Sequence, residues 1–177
     1  MSTILFSGIH GVGKNFFLNK LDRKQLSHAV YTASELIGRY QAPTDAGYKK
    51  VSDVESNQNV LLRAINEVVE KCQKDIILDG HLCVFNAIGD VERIPWDFFE
   101  KVELGGIILL QDEPKTIGKR LASRDTKSVK LEDLARMQEE ETAYAKELAD
   151  RLHIEYEIIS HDCTDEQFVS ILNRMGE

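Results

Sequence analysis

The sequence has only three cysteines and no extended cluster of basic residues. Cys72, Cys83 and Cys163 are odd in number and lack C-x-x-C spacing, so they indicate neither a disulfide framework nor a zinc site. The net charge of −8 argues against nonspecific binding to nucleic acid, which requires a basic surface. A disulfide-rich domain, a zinc-binding module and a nucleic-acid-binding protein are therefore not expected.

Long apolar runs are missing as well. The first apolar stretch, residues 3–7, is far too short for the core of a signal peptide or for a membrane span. There is no internal repeat and no low-complexity segment. We therefore expect a cytoplasmic protein without a membrane partner. With 177 residues, of which 42% are hydrophobic and 29% charged, the chain is expected to form a single domain over residues 1–177.

A glycine-rich loop near the start of the chain is the strongest motif in the sequence. The segment Gly8-Ile9-His10-Gly11-Val12-Gly13-Lys14-Asn15 lies between a short apolar strand and a predicted helix. Its spacing is that of a phosphate loop, with Asn15 where Ser or Thr is usual. Glycines let successive N–H groups face a phosphate chain, and the helix adds its positive end. We predict that ATP binds here, through Gly8, His10, Gly11, Val12, Gly13, Lys14, Asn15 and Phe16.

Predicted strands and helices alternate along the chain. The strands fall near residues 3–7, 28–31, 75–79, 106–110 and 154–159, and they are almost continuously apolar. Such runs indicate a parallel sheet covered on both faces. Residues 82–92 predict a small hairpin, and helices are predicted over residues 96–102 and 131–152. Ser52 with Glu55 and Thr164 with Gln167 predict capping boxes for the helices that follow them. The expected fold is α/β, with a three-layer, doubly wound, five-stranded parallel sheet.

Asp79 ends the third predicted strand, and ligands bind at the carboxyl ends of strands in such sheets. A carboxylate after four apolar residues is costly unless it is paired or lies near a cation. Its functional role would be to help hold Mg²⁺ or to orient an acceptor, and its structural role would be a helix cap or an ion pair.

Arg120 and Arg124 are four residues apart, so they share one face of a predicted helix. Arginine forks suit the oxygens of a phosphoryl group in transfer, although the same spacing is found on solvated helix faces. Lys14, Asp79 and these two arginines are the predicted catalytic residues.

Together these motifs resemble the P-loop nucleoside monophosphate kinases, and among them the archaeal type of adenylate kinase. The resemblance spans nearly the whole chain, and the phosphate loop is its one highly specific motif. It implies an acceptor-binding segment over residues 32–60 and a short lid over residues 119–128. The segment from Thr32 to Arg39 and the motif Asp79-Gly80-His81 are similar to the family's acceptor site. The acceptor contacts that the resemblance implies are Thr32, Ser34, Arg39, Gly80 and His81.

The resemblance implies ATP and Mg²⁺ as cofactors, with Asn15 and Asp79 as candidate metal ligands. The expected activity is transfer of the ATP γ-phosphoryl group to AMP or a similar acceptor. The arginine that many bacterial adenylate kinases carry after Asp-Gly is absent, so a nucleoside, a sugar acid or a vitamin is an alternative acceptor. Because Asn15 replaces the usual hydroxyl, a nucleotide-binding module that acts through a protein partner is a further alternative.

Two further expectations concern residues outside these motifs. The run from Glu139 to Glu141 predicts the solvated face of a long helix. Phe17, Phe98 and Phe99 are expected in the hydrophobic core, and Phe16 is expected there as well although it adjoins the ATP loop.

Overall fold

The computed structural model of the protein describes residues 2–22, 24–39, 54–72, 74–86, 89–124 and 130–176. For residues 54–57 and for Arg124 this description covers the backbone alone. Residues 40–53 of the predicted acceptor segment and residues 125–128 of the predicted lid lie outside the described residues. The same holds for Ser52 of the predicted capping box and for the side chain of Arg124.

The described residues form seven strands and seven helices. They are β1 (Thr3–Ser7), α1 (Lys14–Lys20), β2 (Ala29–Thr32), α2 (Ala33–Gly38), α3 (Val54–Lys71), β3 (Ile76–Asp79), β4 (Cys83–Phe85), β5 (Val91–Arg93), α4 (Trp96–Val102), β6 (Leu104–Leu110), α5 (Pro114–Arg124), α6 (Leu131–Leu152), β7 (Glu155–Ile159) and α7 (Asp165–Met175).

Five of the strands form one parallel sheet in the order β2-β3-β1-β6-β7. The chain leaves β1 toward one edge of the sheet and later returns to build the other edge. This reversal of strand order opens a crevice at the carboxyl ends of the strands. Phe6 and Thr32 both lie opposite Asp79, so β1, β2 and β3 end at nearly the same level. The predicted fold class is confirmed.

The core lies on both sides of the central strands, as their apolar sequences predict. Every residue of β1 and β3 is buried. Phe6 stacks on Phe17 at 5.6 Å between ring centres, and Phe168 packs edge-on against both. The expectation for Phe16 was wrong, because its side chain is 69% exposed. Phe16 and Phe17 are neighbours on α1, and only one of them can face the sheet.

Most predicted boundaries agree with the structure. Helices α4 and α6 begin and end where predicted, and β4 pairs with β5 as the predicted antiparallel hairpin. Thr164 and Gln167 form the predicted capping box of α7. Strand β6 starts at Leu104, two residues before its predicted start. The sequence did not predict this extension, because it contains the pair Gly105-Gly106 and glycine is a weak strand former. None of the described helices has the length and apolar character needed to cross a membrane.

Candidate nucleotide-binding cleft

A cleft of about 760 Å³ opens at the carboxyl ends of the strands. The loop after β1, the start of α2, the loop after β3, helix α5 and the loop after β7 all contribute to it. The structure therefore brings together residues that are far apart in the sequence. Twelve of the predicted site residues line this cleft: His10, Gly11, Gly13, Lys14, Asn15, Phe16, Thr32, Ser34, Asp79, Gly80, His81 and Arg120.

Backbone geometry explains two of the glycines in the loop after β1. A Cβ atom on Gly8 would lie 2.7 Å from the carbonyl oxygen of Leu110, so the close packing of the loop on β6 leaves no room for a side chain. Gly13 has a φ of 101° and caps α1 without any side-chain hydrogen bond. The first hydrogen bond at this end runs from the N–H of Phe17 to the carbonyl of Gly13. The N–H groups of the first turn therefore have no partner within α1, as a phosphate site requires.

The ammonium group of Lys14 lies on the floor of the cleft. Its Nζ donates to the carbonyl oxygen of Gly8 at 3.0 Å and lies 3.6 Å from Oδ1 of Asp79. The two ring nitrogens of His81 are 3.3 and 3.4 Å from the same Nζ. The carboxyl end of β3 thus faces the phosphate loop, and Lys14 bridges the two.

Burial controls the protonation of this group of side chains. Desolvation lowers the pKa of Lys14 and raises that of Asp79, while their mutual attraction opposes both shifts. For His81, burial and the neighbouring Lys14 together lower the pKa to about 3. At neutral pH, His81 is therefore an uncharged imidazole that can accept a hydrogen bond from Lys14.

Arg120 contacts the phosphate loop from α5. Its Nη1 donates to the carbonyl oxygen of Val12 at 2.8 Å, and its Nη2 lies 2.8 Å from Oδ2 of Asp112. His161, in the loop after β7, donates from Nε2 to the same Val12 oxygen at 2.8 Å. Two side chains thus donate hydrogen bonds to the same loop carbonyl, and both side chains line the cleft.

The other end of the cleft is formed by the start of α2. Thr32 caps this helix by accepting the N–H of Glu35 at 3.2 Å, so its side chain has a structural role in addition to its place in the cleft. Glu35 also lines the cleft, and its carboxylate contributes to the raised pKa of Asp79. Arg39 is not part of this lining, and its guanidinium lies 5.8 Å from the ring centre of Tyr31. Its contact with an acceptor stays a prediction.

The expectation of a solvated face at Glu139–Glu141 was wrong for Glu141, which is 3% exposed. Its Oε1 accepts the hydroxyl of Ser7 at 2.6 Å and the N–H of Leu82 at 3.3 Å. Glu141 therefore lies directly beneath the phosphate loop. The sequence does carry a signal for its burial, because Glu141 falls on the apolar stripe of α6 that includes Met137, Tyr144 and Ala145.

Three polar residues that line the cleft were not among the predicted site residues: Glu35, Ser123 and His161. Glu35 adjoins Ser34 and Ser123 adjoins Arg124, so the predicted segments pointed to both. His161 follows the last strand of the sheet, and strand order alone would have placed it at the same edge as the loop.

The donor atoms at this site suit a magnesium ion bound together with phosphates. Asn15 offers an amide oxygen from the exposed first turn of α1, and Asp79 offers a carboxylate beside Lys14. Mg²⁺ is usually held by one or two protein oxygens, substrate phosphates and water. The assignment of Asn15 and Asp79 as metal ligands stays a prediction.

Comparisons with known proteins agree with this architecture. Residues 7–138 match a family described as AAA domain. A gluconokinase from Sinorhizobium meliloti 1021 has a similar structure, with a TM-score of 0.52 over 98% of this chain and 93% of that chain. The two sequences are 11% identical, so this likeness shows the fold alone. No curated protein matches the sequence.

Proposed function

Because the chain belongs to the AAA domain family and has the fold of a P-loop kinase, we propose that it is an ATP-dependent small-molecule kinase. The observation that carries this proposal is the position of Lys14. Its ammonium group lies between a phosphate loop and the carboxylate of Asp79, at the floor of a cleft of about 760 Å³. In P-loop enzymes the lysine of the loop cradles the outer phosphates of the nucleotide, which supports this proposal.

The reaction would join an acceptor oxygen to the γ-phosphorus of ATP and break the bond to the β-phosphate oxygen. ADP would leave with the electron pair of the broken bond. AMP would attack through an unprotonated oxygen of its phosphate, whereas an acceptor hydroxyl would release its proton to solvent. Lys14 and Arg120 would meet the negative charge of the transferred group from two sides of the cleft, while Asp79 would orient the acceptor. Positioning and charge would supply most of the catalysis, since phosphoryl transfer needs little covalent help from protein.

The first acceptor class that we propose is a nucleoside monophosphate such as AMP. The support comes from the resemblance of residues 32–39 and 79–81 to the acceptor site of adenylate kinases. Thr32 and Ser34 line the same cleft as Lys14, within reach of a common ligand. In this function, Arg39 and Arg124 would supply further positive charge.

Glu35 favours a second candidate, an acceptor that carries no phosphate of its own. Its carboxylate lines the acceptor end of the cleft and faces the same space as Asp79. Two carboxylates would repel a phosphate dianion, whereas they would accept hydrogen bonds from the hydroxyl groups of a nucleoside or another polyol.

An acceptor panel separates these candidates. The wild-type protein would be given MgATP with nucleoside monophosphates, nucleosides, sugar acids and hydroxylated vitamins, and transfer of the labelled γ-phosphoryl group would be measured. Glu35→Gln should lower the KM of a phosphorylated acceptor and leave or raise that of a neutral one. Glu67→Gln, on the exposed face of α3, is the charge-matched control.

Each outcome of this panel has a clear meaning. Transfer to AMP supports the first acceptor class, and transfer only to unphosphorylated compounds supports the second. MgATP binding without transfer to any acceptor would refute the kinase proposal and favour a nucleotide-binding module with a protein partner.

A further inference from the structure

Glu141 joins two loops that separate after leaving adjacent strands. Strands β1 and β3 pair up to Phe6 and Asp79, and the N–H of Gly80 still donates to the carbonyl of Phe6 at 3.1 Å. Beyond this point the segment after β1 enters the phosphate loop, and the segment after β3 turns toward β4. The carboxylate of Glu141 fills the gap between them.

The hydrogen bonds in this gap form a closed triangle. The hydroxyl of Ser7 donates to Oε1 of Glu141 at 2.6 Å and accepts the N–H of Leu82 at 3.1 Å. The same N–H is 3.3 Å from Oε1 of Glu141. All three residues are buried, and the N–H of Gly8 also stabilises the Glu141 carboxylate. Each bond therefore forms in a low-dielectric environment and holds its partners firmly.

Glu141 belongs to a third element, helix α6, which begins after the predicted lid. A buried carboxylate is costly, and leucine at this position of the α6 stripe would pack against the core without that cost. A purely structural role therefore accounts poorly for a glutamate here. Glu141 instead contacts Ser7 and Leu82, which set the position of Gly8 and of the turn from Asp79 to Leu82.

We propose that Glu141 is a positioning residue, which fixes the phosphate loop at its working distance from the Asp79 turn. It would act through Ser7, Gly8 and Leu82 and would not touch the nucleotide. This inference rests on the proposed function only in that the loop binds the phosphates of ATP. The hydrogen bonds among Ser7, Leu82 and Glu141 do not depend on the proposed function.

The test compares three variants. Glu141→Leu removes the acceptor, Glu141→Gln keeps an oxygen that can accept both bonds, and Ser7→Ala removes the hydroxyl that links the other two residues. Glu139→Gln is the matched control, because Glu139 lies on the same helix and is exposed. MgATP affinity is measured by calorimetry at a temperature at which circular dichroism shows every variant to be folded.

We expect Glu141→Leu to weaken MgATP binding by roughly 10- to 100-fold, because it removes the acceptor of two buried hydrogen bonds that position the loop, each usually worth about fivefold or more. Ser7→Ala should weaken it by roughly fivefold, the usual value of one hydrogen bond. Glu141→Gln should retain most of the affinity, and Glu139→Gln all of it. Wild-type affinity in Glu141→Leu, with only a lower melting temperature, would overturn the proposal. If Glu141→Leu does not fold, wild-type affinity in Ser7→Ala overturns it.

A second readout does not depend on the nucleotide. Hydrogen exchange of the Leu82 amide should be faster in Ser7→Ala than in wild type, and unchanged in Glu139→Gln. Failure of the wild-type protein to bind MgATP would refute the proposed function, whereas unchanged exchange in Ser7→Ala would refute the hydrogen-bonded connection itself.

Discussion

Removing the Arg120 side chain should reduce catalysis far more than it reduces stability. Arg120→Ala deletes the hydrogen bond to the carbonyl of Val12 and the ion pair with Asp112. The carbonyl keeps its second donor, because His161 also lies 2.8 Å away. Arg120 is 37% exposed, so solvent screens its ion pair. We therefore expect a loss of about 1 kcal/mol in the free energy of unfolding.

The catalytic effect should be larger because the charge on the transferred group develops in the transition state. Loss of one preorganised cation typically costs on the order of 10²–10³ in kcat. The KM of the acceptor should change much less, since the interaction strengthens only during transfer. Lys119→Ala is the matched control, because Lys119 is exposed on the same helix.

The stability of the double variant checks the structural part of this reasoning. Arg120→Ala with His161→Ala leaves the buried Val12 carbonyl without either donor, which costs about 1–3 kcal/mol more than the two single losses predict. Urea denaturation measures the three values. Additive losses would show that the carbonyl does not need these donors. A kcat within twofold of wild type in Arg120→Ala would refute the role in transfer.

The remaining predictions concern the loop and a buried histidine. Gly8→Ala should destabilise the fold by several kcal/mol in urea titrations, on the order of a severe core substitution, because its Cβ would lie 2.7 Å from the Leu110 oxygen; a wild-type midpoint would contradict this packing. Asn15→Thr should lower the Mg²⁺ concentration that half-saturates turnover, and slower turnover would mean that Asn15 is an adapted ligand. Burial lowers the pKa of His28, so its contribution to stability is present above its ordinary pKa of about 6.5 and is lost as the pH falls. His28→Leu should flatten stability between pH 7 and pH 5, whereas the exposed control His153→Asn should not.

The arrangement of the fold followed from local patterns in the sequence. Continuous apolar strands between helices specified a parallel sheet, and the glycine spacing specified the phosphate loop. Capping residues located the start of α7, where Thr164 and Gln167 cap each other. These features depend on neighbours in the sequence, so a sequence is sufficient to predict them.

The errors arose where burial depends on distant parts of the chain. Glu139 and Glu141 have the same chemistry, yet only Glu141 meets Ser7, which is 134 residues away. Phe16 and Phe17 differ only in which side of a short helix they occupy. Arg120 and His161 both donate to the carbonyl oxygen of Val12, and these hydrogen bonds likewise join three separate segments. Only the assembled sheet edge defines such contacts.

The most direct test of the central claim is MgATP binding to Lys14→Ala, measured by calorimetry beside Lys20→Ala. Both lysines lie on α1, but Lys14 is buried at the floor of the cleft and Lys20 is exposed. If the loop binds the phosphates of ATP, Lys14→Ala should weaken binding at least tenfold while Lys20→Ala matches wild type. Equal affinity in all three proteins would contradict the account.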